Sequence, residues 1–322
     1  MSHQLTGIQE FLYEICIPAI VILCVLAALF NILIFVSRFY VKTRSSSLEL
    51  TYSLALSDTW TSTIIAGSLF WNSYKPVVLG IRHESFCFPL TMEAFRTGGL
   101  LTGCFHLAAL GFVHYLTIVR PFDHVKFMNI RLTQTLIIII WSVPPLLLIV
   151  YFSSHANQGY RNERCMGASF YEALYFRAFV SLVIIVLIMI TCALYWNMLR
   201  KISSVRTKTG TANPRGRRTV VTAVLIFGTF LIGWLPASIM FILTAKGMPL
   251  HGNSSIIVNI LSIVVLVNIM GKTLTNPIIY ATRIPEIRQF VLQRVFWQIR
   301  TQSVVSRRSE LTPLKKSSGN CN

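Results

Sequence analysis

Five stretches of the chain, 15–37, 97–119, 132–160, 178–199 and 219–245, contain no Asp, Glu, Lys or Arg. Each is longer than the roughly 20 residues that a helix needs to cross a hydrocarbon core about 30 Å thick. Charged residues make up 12% of the chain, against about a quarter in soluble domains. Mean hydropathy is +0.62. These runs and that balance point to a membrane protein.

Two further stretches, roughly 48–74 and 254–281, are each interrupted within the span by a charge, Asp58 in one and Lys272 in the other, and are otherwise apolar enough to insert. The expected fold is therefore an all-α membrane protein, a seven-transmembrane helix bundle. Its helices are expected at 15–40, 48–74, 88–119, 131–153, 170–201, 217–245 and 254–281. A short amphipathic helix follows at 284–297, with Ile287, Phe290, Val291 and Val295 on one face and Arg288 and Arg294 towards another. The expected divisions are an outer N-terminus at 1–14, a helical domain at 15–281, a membrane-surface helix at 282–297 and a disordered polar tail at 298–322.

Seven spans put the two termini on opposite sides. Of the 29 Lys and Arg, 21 fall in alternate loops and the tail, and five in the other set, Lys75, Arg82, Arg161, Arg164 and Lys246. Basic loops mark the cytoplasm, so the N-terminus is expected outside, in a multi-pass plasma-membrane protein. The net charge of +18 is thereby accounted for by anionic membrane lipids rather than nucleic acid. Residues 1–16 hold no Lys or Arg, so they lack the start of a cleavable signal peptide, and the first helix is expected to serve as its own insertion signal. The tail carries Ser303, Ser306, Ser309, Thr312, Ser317 and Ser318, which are either phosphorylation sites for a partner to read or simply solvated.

Cys16, Cys24, Cys104 and Cys192 lie in or near apolar runs and read as small hydrophobes. Cys87 and Cys165 both fall on the expected outer side, an oxidising space, where a disulfide would pin the second outer loop to the third helix. Asn253 opens an N-x-S sequon in the third outer loop, a candidate glycosylation site. No cysteine or histidine has metal-ligand spacing, and no metal or cofactor is expected.

Asn31 in "LFNILIF", "LALSD" ending at Asp58, Trp141, Phe230, the run Gly233-Trp234-Leu235-Pro236 and Asn276-Pro277-Ile278-Ile279-Tyr280 occur in order along successive helices. In this the chain resembles the rhodopsin-like (class A) G-protein-coupled receptors over nearly its whole length. Independently of that resemblance, Pro236 and Pro277 each free a carbonyl and bend a helix, giving points about which a segment can pivot. The resemblance implies that Trp234, two residues before one bend, senses ligand.

It also implies that "VHY" at 113–115 stands where the family has D-R-Y, with Val113 for the acid and His114 for the arginine. Val113 accepts no hydrogen bond, and 213–218, near the start of the sixth helix, holds no acid, so the family's ionic lock cannot form. His114 is either a modified coupling residue or a neutral packing residue. Tyr115, Tyr195, Pro236, Asn276, Pro277 and Tyr280 complete the implied activation set. Leu187 stands where the fifth helix usually has proline. Cys87 precedes His114 by two residues more than the family spacing, which predicts an extra turn or bulge at the start of the third helix.

Arg96 occupies the position at which amine receptors carry an aspartate, which disfavours an amine ligand. Arg96 and Arg177 are candidates to receive an anionic group, although Glu93, three residues before Arg96, is an alternative partner for it. The candidate ligand-binding set is Glu93, Arg96, Arg177, Trp234, Ser238 and Phe241. Only about 15 residues precede the first helix, which points to a small molecule, lipid or short peptide as ligand.

Asp58 and Lys272 would each be costly alone in hydrocarbon and are expected to pair, near Asn31 and Asn276. Lys272 stands where the family has an Asn beside a sodium ion, and Gly103 where it has a serine, leaving room for the longer side chain. The alternative is a Lys272 that faces elsewhere. The implied function is a non-enzymatic receptor that turns extracellular ligand binding into heterotrimeric G-protein activation, with arrestin reading a phosphorylated tail. An arrestin-biased or decoy receptor is the nearer alternative. A transporter is disfavoured by the lack of repeats and of a charged path, and a light receptor by Lys272 lying two residues off the opsin position.

Overall fold

The computed structural model of the protein describes residues 11–81, 84–209, 214–252 and 255–296. Among these residues there are helices and loops but no strand. The long helices are α1 Ile17–Ser37, led in by a π-helical turn at Leu12–Cys16, α2 Ser46–Leu69, α3 Cys87–Val119, α4 Ile130–Ser153, α5 Leu174–Thr209, α6 Pro214–Leu243 and α7 Ile256–Arg283. A short α8, Pro285–Phe290, continues as a π-helical turn at Val291–Phe296. Asn253 and the Ser and Thr positions of 298–322 lie outside the described residues.

Six helices are long and apolar enough to cross a membrane; α2 is the exception. Besides Asp58 it carries Glu49 and eight serines and threonines from Ser46 to Ser62, and most of these polar side chains are buried. The polar helix is tolerable because it lies inside the bundle, where its groups meet protein rather than lipid. It packs on α1 and α3, while α3 also bears on α4 and α5, and α5–α6–α7–α1 close the ring.

Packing this tight needs small residues where backbones approach. A Cβ at Gly98 would come within 3.1 Å of the Pro145 Cα on α4, and one at the neighbouring Gly99 within 3.0 Å of Trp60 and Thr61 on α2. The Gly98-Gly99 pair thus seats α3 between two helices. Two of the helix prolines are met by hydrogen bonds from adjacent helices. Pro277 leaves the Thr273 carbonyl without its helical donor, and Asn31 Nδ2 of α1 donates to it at 2.9 Å. Pro144 does the same to Ile140, whose carbonyl accepts from Thr102 Oγ1 of α3 at 3.3 Å.

Several boundaries differ from expectation. The fifth helix begins at Leu174, after a separate turn at Ser169–Glu172, and extends to Thr209. A short helix at Pro121–Phe127, not anticipated, follows α3, with proline at its first position as helix starts favour. The bulge expected near Cys87 is absent: α3 is one regular helix of 33 residues starting at Cys87 itself. Ile287 and Phe290 of α8 are buried, and Phe290 stacks on Tyr40, so much of its apolar face meets protein.

The close contact at Gly98 makes a prediction. Gly98→Val should lower the thermal midpoint of the purified protein by several degrees, since overpacking costs about 1–3 kcal/mol. Gly228→Ala, where a Cβ meets nothing within 4 Å, should not lower it. Equal midpoints for the two variants would refute this account of the α3–α4 contact.

Candidate functional site

The middle of the bundle holds an ion pair. Lys272 Nζ lies 2.8 Å from Asp58 Oδ1, with both side chains at most 5% exposed. Asn276 Nδ2 donates to the other carboxylate oxygen, Oδ2, at 2.7 Å. Lys272 and Asn276 are four residues apart, so one face of α7 presents both donors. The ammonium occupies the carboxylate as a bound cation would, and this donor set does not fit sodium. Asn31 is bonded to neither charge; it holds α7 through the Thr273 carbonyl.

Room for the lysine stem also comes from a glycine that was not expected to give it. A Cβ at Gly103 would stand 3.7 Å from Ser57 Oγ, an ordinary contact. At Gly233 it would stand 3.1 Å from the Lys272 Cβ and 3.6 Å from its Cγ. Gly233, the residue before Trp234, is what allows the lysine stem to pass α6.

Towards the Cys87 end, a cavity of about 410 Å³ opens between α3, α5, α6 and α7. Arg96, Arg177, Trp234, Ser238 and Phe241 line it; Glu93 instead lines a neighbouring cavity beside Cys165. Cys87 and Cys165 are bonded, and Phe86 N donates to the Arg164 carbonyl at 2.9 Å, so the loop before α5 is tied to the head of α3. Gly159, at φ +55°, lets this loop turn back where a Cβ would meet the Phe152 carbonyl oxygen at 2.6 Å.

Arg96 forms an ion pair with Glu93 and donates to the Tyr171 hydroxyl at 3.1 Å. That hydroxyl donates to Glu93 at 2.8 Å. Burial, then the Glu93 carboxylate, push the Tyr171 phenol up to about 12, so it stays a donor. Arg177 has no carboxylate within 4 Å among the described residues. Its Nε donates to the Tyr171 carbonyl at 3.0 Å, Nη1 to Thr244 Oγ1 at 2.7 Å, and its guanidinium lies over the Tyr171 and Phe241 rings.

Below the cavity Trp234, Phe230 and Phe227 succeed one another on α6, with ring centroids 6.2 and 6.4 Å apart, and Phe227 meets Tyr195 of α5 at 5.4 Å. Tyr115 packs against Tyr195 and Met198. At this end of α3, His114 is buried, with Nε2 3.0 Å from Ser47 Oγ in the first turn of α2. His114 Nδ1, the hydroxyls of Tyr195 and Tyr280, and Trp234 Nε1 are buried with no hydrogen-bond partner among the described residues.

Sequence reasoning missed His106. Its Nδ1 meets the Thr102 carbonyl at 2.9 Å and so carries the proton, while Nε2 accepts from Ser53 Oγ at 2.7 Å and Trp141 Nε1 donates to the same oxygen at 2.9 Å. This neutral histidine ties α2, α3 and α4; the available signal was a polar side chain inside a charge-free run.

Known proteins bear on this geometry at family level. The family model described as 7 transmembrane receptor (rhodopsin family) matches residues 19–280, well over half the chain. Among curated proteins, none matches.

The ion pair yields a test. Removing one partner of a buried pair costs about 3–5 kcal/mol because the other charge stays uncompensated. Asp58→Asn or Lys272→Met alone should sharply reduce folded surface expression, and the double variant should recover part of it. Thermal stability of the wild type should not change when sodium replaces potassium. Additive losses without rescue, or strong sodium dependence, would contradict the assignment.

Proposed function

The chain belongs to the rhodopsin family of seven-transmembrane receptors. From that premise we propose that it binds an extracellular ligand in the cavity above Trp234 and passes the event to a heterotrimeric G protein at the His114 end. The Lys and Arg distribution supports an outer N-terminus in the plasma membrane, with the disulfide end outside. The receptor performs no covalent chemistry; a ligand that prefers one packing of the bundle supplies the driving force.

One observation carries this reading. The cavity ends on Trp234, two residues before the Pro236 bend, and from there contiguous aromatic rings run to Tyr195. A ligand touching the indole acts at the point where α6 can pivot, and the rings convey a change in α6 to α5 and the end of α3. Pro277 is the corresponding bend in α7, with Asn276 and Tyr280 on either side.

At the inner end, the His114 bond to Ser47 replaces the family's acid–arginine restraint and tethers α3 to α2. Val113, buried and apolar, contributes packing alone. This departure is the observation that favours the second reading, a receptor acting through arrestin or as a decoy. The phosphorylatable tail positions belong to the same proposal.

Nucleotide exchange on a panel of purified heterotrimers decides between the readings: the proposed receptor accelerates exchange on at least one, and acceleration on none would leave the second. A net hydrogen bond is worth about 0.5–1.5 kcal/mol, a factor of about 2–10 in an equilibrium. Ser47→Ala and His114→Ala should therefore each raise ligand-free exchange by about that factor, and the double variant no further. Unchanged basal rates would remove the tether from the mechanism.

A further inference from the structure

Among the described residues, the cavity wall contains two arginines and no carboxylate. Their charges are not equivalent. Arg96 is neutralised by Glu93 and shares the Tyr171 hydroxyl with it. Arg177 is held in place by two uncharged acceptors and two ring faces, and among the described residues it has no acidic side chain within 4 Å; Glu172 and Glu93 act on it only from farther off. Two of its five N–H groups are used in these bonds. The cavity therefore presents one oriented, uncompensated guanidinium.

The remaining wall is mostly apolar, with Leu100, Val180, Ile184, Met240, Val265 and Ile269 among its residues. Beyond it, a second cavity of about 180 Å³ lies between α1, α2 and α7 and is lined by Ile17, Ile20, Leu69 and Ile263. The two cavities share Ser262 and Leu266 as a common wall. A body longer than the first cavity thus has further space beyond that wall towards α1, where Tyr13, Ser73 and Asn259 stand beside the apolar residues.

We infer that the ligand is an amphipathic monocarboxylate, its carboxylate on Arg177 and its hydrocarbon body along the α6–α7 wall towards Ser262 and Leu266. One free guanidinium matches one carboxylate in charge and in bidentate geometry. A phosphate monoester dianion would need a second cation, and Arg96 is already committed to Glu93. A peptide amino terminus buried in the cavity would need an acid, and among the described residues the wall has none. The inference rests on the receptor reading for its biological sense, but its binding chemistry is separable from it.

The test measures equilibrium binding of palmitate, hexadecanol, hexadecyl phosphate and butyrate to the purified full-length protein, without G protein. Palmitate should bind saturably, with hexadecanol and butyrate each weaker by about tenfold or more, as loss of a charge-assisted contact or of the apolar body requires. Arg177→Gln should cost palmitate about tenfold, and Thr244→Val, which removes the hydroxyl orienting Nη1, severalfold. Gly228→Ala, which lies outside the cavity lining and meets nothing within 4 Å, should change affinity less than about threefold.

Equal binding of palmitate and hexadecanol would overturn the inference, as would tighter binding of hexadecyl phosphate or full affinity in folded Arg177→Gln. If Arg177→Gln fails to fold, unchanged affinity in Thr244→Val overturns it instead. Palmitate binding that depends on Arg177 but drives exchange on no heterotrimer would refute the G-protein reading and leave this one standing. Exchange driven by another ligand, with no palmitate binding, would do the reverse.

Discussion

A polar group in hydrocarbon finds its partner within the bundle or not at all, and this requirement organises the molecule. Asp58 and Lys272 meet it most directly, each buried and each satisfied by the other, with Asn276 completing the carboxylate. The same requirement explains why the most polar helix, α2, lies between α1 and α3, and why carbonyls freed by Pro277 and Pro144 are met by Asn31 and Thr102. The prolines thus create acceptors that bind one helix to the next. A bend and an interhelical tether arise from the same substitution.

How much of this was legible follows from what a linear pattern encodes. Charge-free runs fix the number and rough extent of the spans, because length against bilayer thickness is a one-dimensional constraint. The meeting of Asp58 and Lys272 was legible for a related reason: two isolated charges in apolar helices have few other partners. Their supporting glycine was not. Counting along α3 marks Gly103, but the lysine stem crosses α6, and only the rotation of α6 against α7 reveals Gly233 as the residue that makes room. The i, i+3 spacing of Glu93 and Arg96 offered that pairing as one of two readings, and the ion pair settles it; the part of Tyr171, brought in by the loop before α5 to bond both groups and Arg177, was not legible. The break at Ala173, which moves the start of α5, also belongs to that loop's folding and not to apolar periodicity.

The two ends of the bundle depart from the family pattern in a related way. At the Cys87 end, a guanidinium stands where its neighbour's charge is already answered; in the middle, an ammonium built into the chain holds the Asp58 carboxylate; at the His114 end, a histidine–serine bond stands where the family resemblance implies an acid and an arginine. A tethered ammonium cannot dissociate, so on the proposed reading the central site gives the bundle no ion gradient to respond to. On the proposed reading, the equilibrium between packings then depends on what touches Trp234 and on how firmly His114 holds α2. Because that hydrogen bond is weak compared with a buried ion pair, the inner end is the softer of the two restraints, and rearrangement there costs least. On that reading, the middle of the bundle is the fixed point about which the Pro236 and Pro277 segments move.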